Sequence, residues 1–478
     1  MVIRIISLLY FVALIIVQLY AQPTPVKPAL KVSENQRYLI DQYGNPFFWL
    51  GGTVWGMSEW MTREDIDLYL DDRKDKGFHV IQICLFWGKR TEDPVNFTTN
   101  APNAYGHKAF EEVNGKVDGA KPLVMEGGNM DNPNDYWDHV DYIVDAVNQR
   151  GMYLALLPVW GRRYVNATHR PFSQAVFSEE DMKVYGEFLG ERYRKYSHII
   201  WVMGGDVKAD DGGDFLEHYR AMAEGIIEGI TDKKVKWNED SELWEYAMMT
   251  YHPDGSPFLN SSRWFHEDPW LDFNMIETWQ NRDSVYQAVR QDYVLTNPVK
   301  PTVMAEPSYE MNGTTRAIHV RRQAFQSFFA GAAGFTYGAF RDSAGNGPLF
   351  SPYQGWEKIL DLEGAQSLQH VKQFCLDHGW PNWNLTEDIF TNGKGEGELQ
   401  KVAVITHTGN KCLIYYPDTS FADYDFTSFT SKFENVKVKT LNPARGFYSV
   451  ESQISLGTKQ RGFSPPEDWA DTIFIIEK

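Results

Sequence analysis

The chain has 478 residues, long enough for more than one domain. Acidic residues outnumber basic ones by 64 to 46, a net charge of −18 that disfavours nucleic acid and anionic membrane surfaces as partners. Three cysteines are too few, and odd in number, for a disulfide framework and read as small buried hydrophobes, while aromatics at 15% suit a large core or a surface that stacks on flat ligands.

Residues 1–21 open with Arg4, an apolar run from Ile5 to Val17 and a small residue, Ala21. That is the pattern of a secretory signal peptide, with an uncleaved anchor as the rival. It predicts export to the periplasm or the extracellular space, with no membrane attachment after cleavage. Residues 22–29, QPTPVKPA, read as a Pro-rich tether. LKVSENQRYLIDQYGNPF, from Leu30, reads as a hairpin turning at Gly44-Asn45 that plugs the bottom of a barrel.

From Phe47 short apolar runs alternate with segments of helical period. The runs are FFWLGGTVW (47–55), HVIQICLFW (79–87), MYLALLPVW (152–160), HIIWVMGGD (198–206), LWEYAMMTYHP (243–253), FNMIETWQ (273–280), PTVMAEPSYE (301–310) and GFTYGAF (334–340). Continuous apolar runs mean strands covered on both faces, and their alternation with helices means parallel βα units. Eight such units predict a (β/α)8 TIM barrel over residues 30–379. An open doubly wound sheet is the rival, but the turn after the first strand, GGTVWG, lacks its Gly-rich phosphate fingerprint. The first helix is predicted to start at Thr62, as N-cap. Beyond Asp377 the runs LQKVAVITHTG, KCLIYYPD, VKVKTLNPARG and DTIFIIEK predict a C-terminal antiparallel β-sandwich over residues 380–478. Sequons such as Asn166-Ala-Thr matter only in a host that glycosylates secreted chains.

A (β/α)8 barrel carries its chemistry at the C-terminal strand ends. Those ends bear Trp55, Trp87, Trp160, Asp206, His252, Glu277, Glu306 and Tyr337. There is no His-x-His pair, HExxH, GxSxG elbow or P-loop, so neither a metal nor another cofactor is expected. Aromatics with paired acids are what glycoside cleavage needs: one carboxyl group protonates the departing oxygen, and a carboxylate attacks or activates water. Asp206 and Glu306 are the predicted catalytic pair. Gly204-Gly205 lets the chain turn sharply and deliver Asp206 to the barrel mouth, although an Asp there could instead cap the next helix or turn. Trp55, Trp87, Trp160, His252, Glu277 and Tyr337 are predicted to bind substrate, and Glu277 competes for the place of second carboxylate. Two rivals stay open, a silent carbohydrate-binding or adhesion protein and a polysaccharide lyase. The lyase would need a basic residue or metal that the strand ends do not offer.

These residues carry a resemblance. RYLIDQYGNPFFWLGGTVW, LYLDDRKDKGFHVIQ, IIWVMGGD, MTYHPDG, SSRWFHEDPWLDFNMI, AEPSYE and FAGAAGFTYG together make the chain similar to the apiosidase-like barrels, glycoside hydrolase family 140 and its relatives, from about Leu30 onward. The resemblance implies a (β/α)8 barrel followed by a β-domain of the type labelled collagen-binding. It also implies a glycosidase of plant cell-wall pectin, with the Asp of Gly-Gly-Asp (Asp206) as acid/base and the Glu of Glu-Pro (Glu306) as its partner. Two departures bear on the sugar taken: Gly51-Gly52-Thr53 stands where relatives carry Gly-Asp-Thr, and IETWQ adds Glu277 and Trp279.

Overall fold

The computed structural model describes residues 24–90, 97–98, 100–168, 176–340, 355–386, 389–432, 434–460 and 462–478. The predicted signal peptide lies outside them, and among the described residues no helix is long and apolar enough to cross a membrane. Residues 24–29 lie against the barrel: Val26 N donates to Arg194 O at 3.1 Å and Ala29 N to Ser197 O at 2.7 Å.

Eight parallel strands form the barrel: β1 (Trp49–Thr53), β2 (Val80–Cys84), β3 (Tyr153–Leu157), β4 (Ile199–Gly204), β5 (Met248–His252), β6 (Asn274–Glu277), β7 (Thr302–Glu306) and β8 (Gly334–Tyr337). They pair in the order β5-β4-β3-β2-β1-β8-β7-β6. Every residue of these strands is buried except Tyr153 at the start of β3, which is why the sequence runs are continuously apolar. The ring is nearly closed. Between β5 and β6 one backbone bond, Asp272 N to Met249 O at 2.9 Å, is supplemented by side chains: Asp272 Oδ2 accepts from Met249 N at 2.6 Å, and Thr250 Oγ1 donates to Phe273 O at 2.6 Å. Burial pushes the Asp272 carboxyl up to about 7.

Helices cover the outside: α1 (Arg63–Asp75), α2 (Tyr136–Gln149), α3 (Glu179–Tyr193), α4 (Leu216–Thr231), α5 (Val285–Tyr293), α6 (Ala317–Phe329) and α7 (Glu363–Asp377). Thr62 caps α1 through a reciprocal capping box with Asp65. The segment between β5 and β6 holds only a four-residue helix, Ser262–Phe265. Helices α3 and α4, on either side of β4 in the chain, approach closely enough that a Cβ on Gly190 would lie 2.2 Å from Ile226 O and one on Gly225 2.1 Å from Lys183 O. Below the barrel, the predicted hairpin is a three-stranded sheet (Lys31–Val32, Leu39–Ile40, Pro46–Phe47). Phe47 packs on His79 and Tyr153, at the N-terminal ends of β2 and β3.

Past α7 the chain forms a seven-stranded antiparallel sheet and a three-stranded one, enclosing a second apolar core around Tyr416, Tyr424, Phe426 and Phe474. The three cysteines are buried and unpaired. Asn166 of the Asn-Ala-Thr sequon is also buried, and its amide donates to Lys208 O and Asp211 O, which leaves no room for a glycan there.

Candidate active site

At the C-terminal end of the barrel a cavity of about 570 Å³ opens, within the range of small-ligand pockets. Trp55, Trp87, Trp160, Asp206, Glu277 and Glu306 all line it, together with Arg162, Asp254 and Trp279.

Asp206 arrives there through a strained turn. Gly204, Gly205 and Asp206 are all left-handed, with φ of 86°, 116° and 50°. A Cβ on Gly204 would sit 2.3 Å from His252 O, so glycine is required on two counts. Gly205 N donates to His252 O at 3.1 Å and Gly205 O accepts from Arg162 N at 3.2 Å, pinning the turn between the ends of β3 and β5. Asp206 does not cap the following helix, which begins only at Leu216. Its Oδ2 accepts from Arg162 Nη1 at 2.6 Å. Burial pushes the carboxyl up to about 6; Arg162 opposes the shift and the charge of Glu306 adds to it.

Glu306 is the last residue of β7 and is 4% exposed. Its carbonyl accepts from Thr278 N at 2.9 Å and Trp279 N at 3.2 Å. Two residues on, Ser308 N donates to Gln323 Oε1 of α6 at 2.8 Å. The strand end is therefore held from both sides. Buried Tyr309 lies beside Glu306, whose charge adds to burial in pushing the phenol well above its ordinary value.

Glu277 ends β6. A bulge between Ile276 and Glu277 sets it opposite Glu306 in register. His252, fully buried, stands beside both: Nε2 is 3.2 Å from Glu306 Oε2 and Nδ1 is 3.7 Å from Glu277 Oε2. Nδ1 also lies 3.1 Å from Pro253 O. One nitrogen or oxygen from each of the three residues lies within 4.8 Å of the others, a spacing that by itself could seat a cation. The 3.2 Å approach places the His252 ring and the Glu306 carboxyl group in direct contact.

Trp55, Trp87 and Trp160 form an aromatic wall, with Trp55 and Trp160 edge to face at 4.8 Å and Trp87 6.3 Å from Trp160. Glu59 Oε1 accepts from Trp87 N at 3.0 Å and Gly88 N at 2.9 Å. The Arg163 guanidinium stacks 3.6 Å from the Trp87 ring centre. Opposite, Trp279 has φ of 45° and stands edge to face on Tyr309.

The structure thus brings together six of the eight residues singled out in the sequence. His252 lies behind the cavity wall, not in it. Tyr337 is not at the cavity: it is buried at the end of β8, and its hydroxyl donates to Glu310 Oε2 at 2.6 Å, whose Oε1 accepts from Gly364 N at the start of α7. A Tyr with an internal carboxylate partner serves packing. The sequence reading passed over Arg162 and Asp254, each two residues beyond a strand-end residue it did select. Reading a few residues into each βα loop would have found both.

The sequence matches the family described as "Apiosidase-like, catalytic domain" over residues 33–382. No curated protein matches it. Among solved structures, the fold is similar to a protein described as a glycoside hydrolase, at 24% identity and a TM-score of 0.75, over 95% of this chain and 99% of that one. It is similar also to a glycoside hydrolase family 5 protein from Bacteroides vulgatus ATCC 8482, at 24% identity and a TM-score of 0.74, over 95% of each chain. At that identity the structural likeness carries the fold and no more.

Proposed function

Because the chain belongs to the apiosidase-like family and is a glycoside hydrolase, we propose that it is exported and releases a sugar from plant cell-wall pectic glycans with retention of configuration. Asp206 serves as acid/base and Glu306 as nucleophile. The observation that carries this assignment is a carboxyl pushed up to about 6 at the end of β4, sharing one cavity with a carboxylate at the end of β7. In the first step Glu306 attacks the anomeric carbon, the bond to the leaving oxygen breaks, and the Asp206 proton passes to that oxygen. In the second, Asp206 takes a proton from water, the water oxygen bonds to the anomeric carbon, and Glu306 departs as carboxylate.

Charge supports a neutral sugar, such as an apiose-like branch, rather than a uronate at the reacting position. Asp206, Asp254, Glu277 and Glu306 face the cavity. Of the two arginines there, Arg162 is bonded to Asp206, and Arg163 donates to the carbonyls of Trp87 and Gly88. A sugar carboxylate would have to compete with Asp206 for Arg162 and with those carbonyls for Arg163. The tryptophan wall supplies apolar faces for the C–H side of a ring. Incubation with pectic oligosaccharides, followed by chromatography, is expected to release a neutral monosaccharide. Release of uronates alone would overturn the neutral-sugar assignment, and no release from any glycan would overturn the pectic one.

The pH profile follows from Asp206. A proton donor must hold its proton, and this one does so below about 6, so kcat/KM is expected to fall about tenfold per pH unit above that value. Arg162 lowers the Asp206 pKa. Arg162→Leu is therefore expected to move this limb to higher pH, and a shift to lower pH would contradict the proton-donor role.

A further inference from the structure

Two carboxyl groups at the cavity, Asp254 and Glu277, have no part in the two-step exchange, and Glu277 is the buried one. Glu277 is 4% exposed and faces Glu306 across the β6–β7 bulge. Glu277 Oε2, Glu306 Oε2 and His252 Nε2 are all buried, and none makes a formed hydrogen bond. Two ionised carboxylates within 4.8 Å and away from water repel strongly, and burial together with the charge of Glu306 favours the protonated form of Glu277. Glu306 has the His252 ring nitrogen at 3.2 Å, whereas the nearest nitrogen of that ring lies 3.7 Å from Glu277 and is also turned to the Pro253 carbonyl.

Resting on the glycosidase reading, we propose that Glu277 acts as a neutral carboxyl group that donates a hydrogen bond to the sugar hydroxyl beside the anomeric carbon, so that this hydroxyl is held between Glu277 and Glu306. A hydroxyl group needs ~2.7 Å to each of two oxygens, and oxygens within 4.8 Å of each other can be bridged by one. The hydroxyl accepts from Glu277 and donates to Glu306, a polarity that fails if both carboxylates are ionised, since each could then only accept. The groups facing Glu277 favour the neutral form. Burial raises its pKa most, followed by Glu306 on β7, Asp206 after β4 and Asp254 after β5, while Arg162 after β3 opposes them. Beside these stand His252 on β5 and Tyr309 after β7. Gly255 leaves the room Glu277 occupies, because a Cβ there would lie 2.6 Å from Glu277 Oε1. A site built this way selects sugars that bear the hydroxyl, since without it buried polar atoms stay unpaired.

Two measurements on the full chain test this. In an infrared difference spectrum at neutral pH, wild type minus Glu277→Gln, a protonated-carboxyl band is expected; a difference confined to ionised carboxylate overturns the proposal. Kinetics then use the para-nitrophenyl glycoside of the sugar the enzyme releases, and its analogue lacking the hydroxyl beside the anomeric carbon. Glu277→Gln, whose amide donates the same bond, is expected to stay within about threefold of wild type. Glu277→Ala is expected to lower kcat about 10–100-fold on the hydroxylated substrate and to add little on the analogue. Equal loss on both substrates, or a Gln variant as damaged as Glu306→Gln, overturns the proposal. If the Ala variant fails to fold, the Gln variant and the infrared band decide. A wild type that cleaves no glycoside would sink the glycosidase reading instead, and the infrared band would still report the charge of Glu277.

Discussion

Asp206→Asn and Glu306→Gln are each expected to reduce turnover by about 10²–10⁴-fold, with folding intact. The two losses should differ in kind. Asp206 gives its proton to a leaving oxygen that needs one, so its loss should shrink on an aryl glycoside whose phenol departs unaided. Glu306 forms the bond to the anomeric carbon, and no leaving group replaces that. Added azide should restore turnover to the Asp206 variant, because a small anion enters where water no longer receives base help. Nuclear magnetic resonance of the first-formed product anomer gives the stereochemistry, and a first-formed inverted anomer would reassign Glu306 as the base for water. Turnover within about twofold of wild type in both variants would remove the assignment altogether.

The barrel is legible in the sequence for a physical reason. A strand covered on both faces must be apolar throughout, and a helix on its outside must start with a cap and carry its own period. Those two signals sit on the chain itself, which is why Thr62 could be read as a cap and the eight runs as strands. The strand-end rule then yields Asp206, Glu306, Glu277 and the three tryptophans without any coordinates. It yields Tyr337 as well, although that side chain is spoken for by Glu310, because the rule locates a backbone end and says nothing of internal partners. It cannot see His252 stand beside two carboxyl groups from other strands, which a register shift between β6 and β7 sets opposite each other. Nor could it see that the Asp272 side chain bridges β5 and the start of β6, because its partner, Met249 N, is distant in sequence. Through-space partnership is the information a linear pattern lacks.

The same limit hides the joint between the two domains, where a further large effect is expected. Arg321 on α6 is 2% exposed and Asp471 of the C-terminal domain 1%. Arg321 Nε donates to Asp471 Oδ2 at 3.0 Å and Nη2 donates to Oδ1 at 2.9 Å. The Tyr415 hydroxyl donates to Oδ2 at 3.1 Å, and Tyr415 stacks on Phe325 of α6 at 4.5 Å. Two residues along the helix, Gln323 turns the other way and holds Ser308, just past Glu306. Helix α6 is thus gripped by the β-domain at one position and braces the Glu306 strand end at another. Asp471→Ala leaves a buried guanidinium without its carboxylate and is expected to cost about 3–5 kcal/mol, lowering the melting transition by roughly 3–5 °C. Replacing both partners with apolar residues, Arg321→Met with Asp471→Leu, should recover most of that loss, because the penalty lies in the orphaned charge more than in the lost attraction. Thermal melting followed by circular dichroism separates the cases. If the single and double variants are equally destabilised, the contribution of this contact is its packing and not its charge. If neither moves the transition, the β-domain and the barrel are energetically independent, and the brace on Glu306 owes nothing to the C-terminal domain.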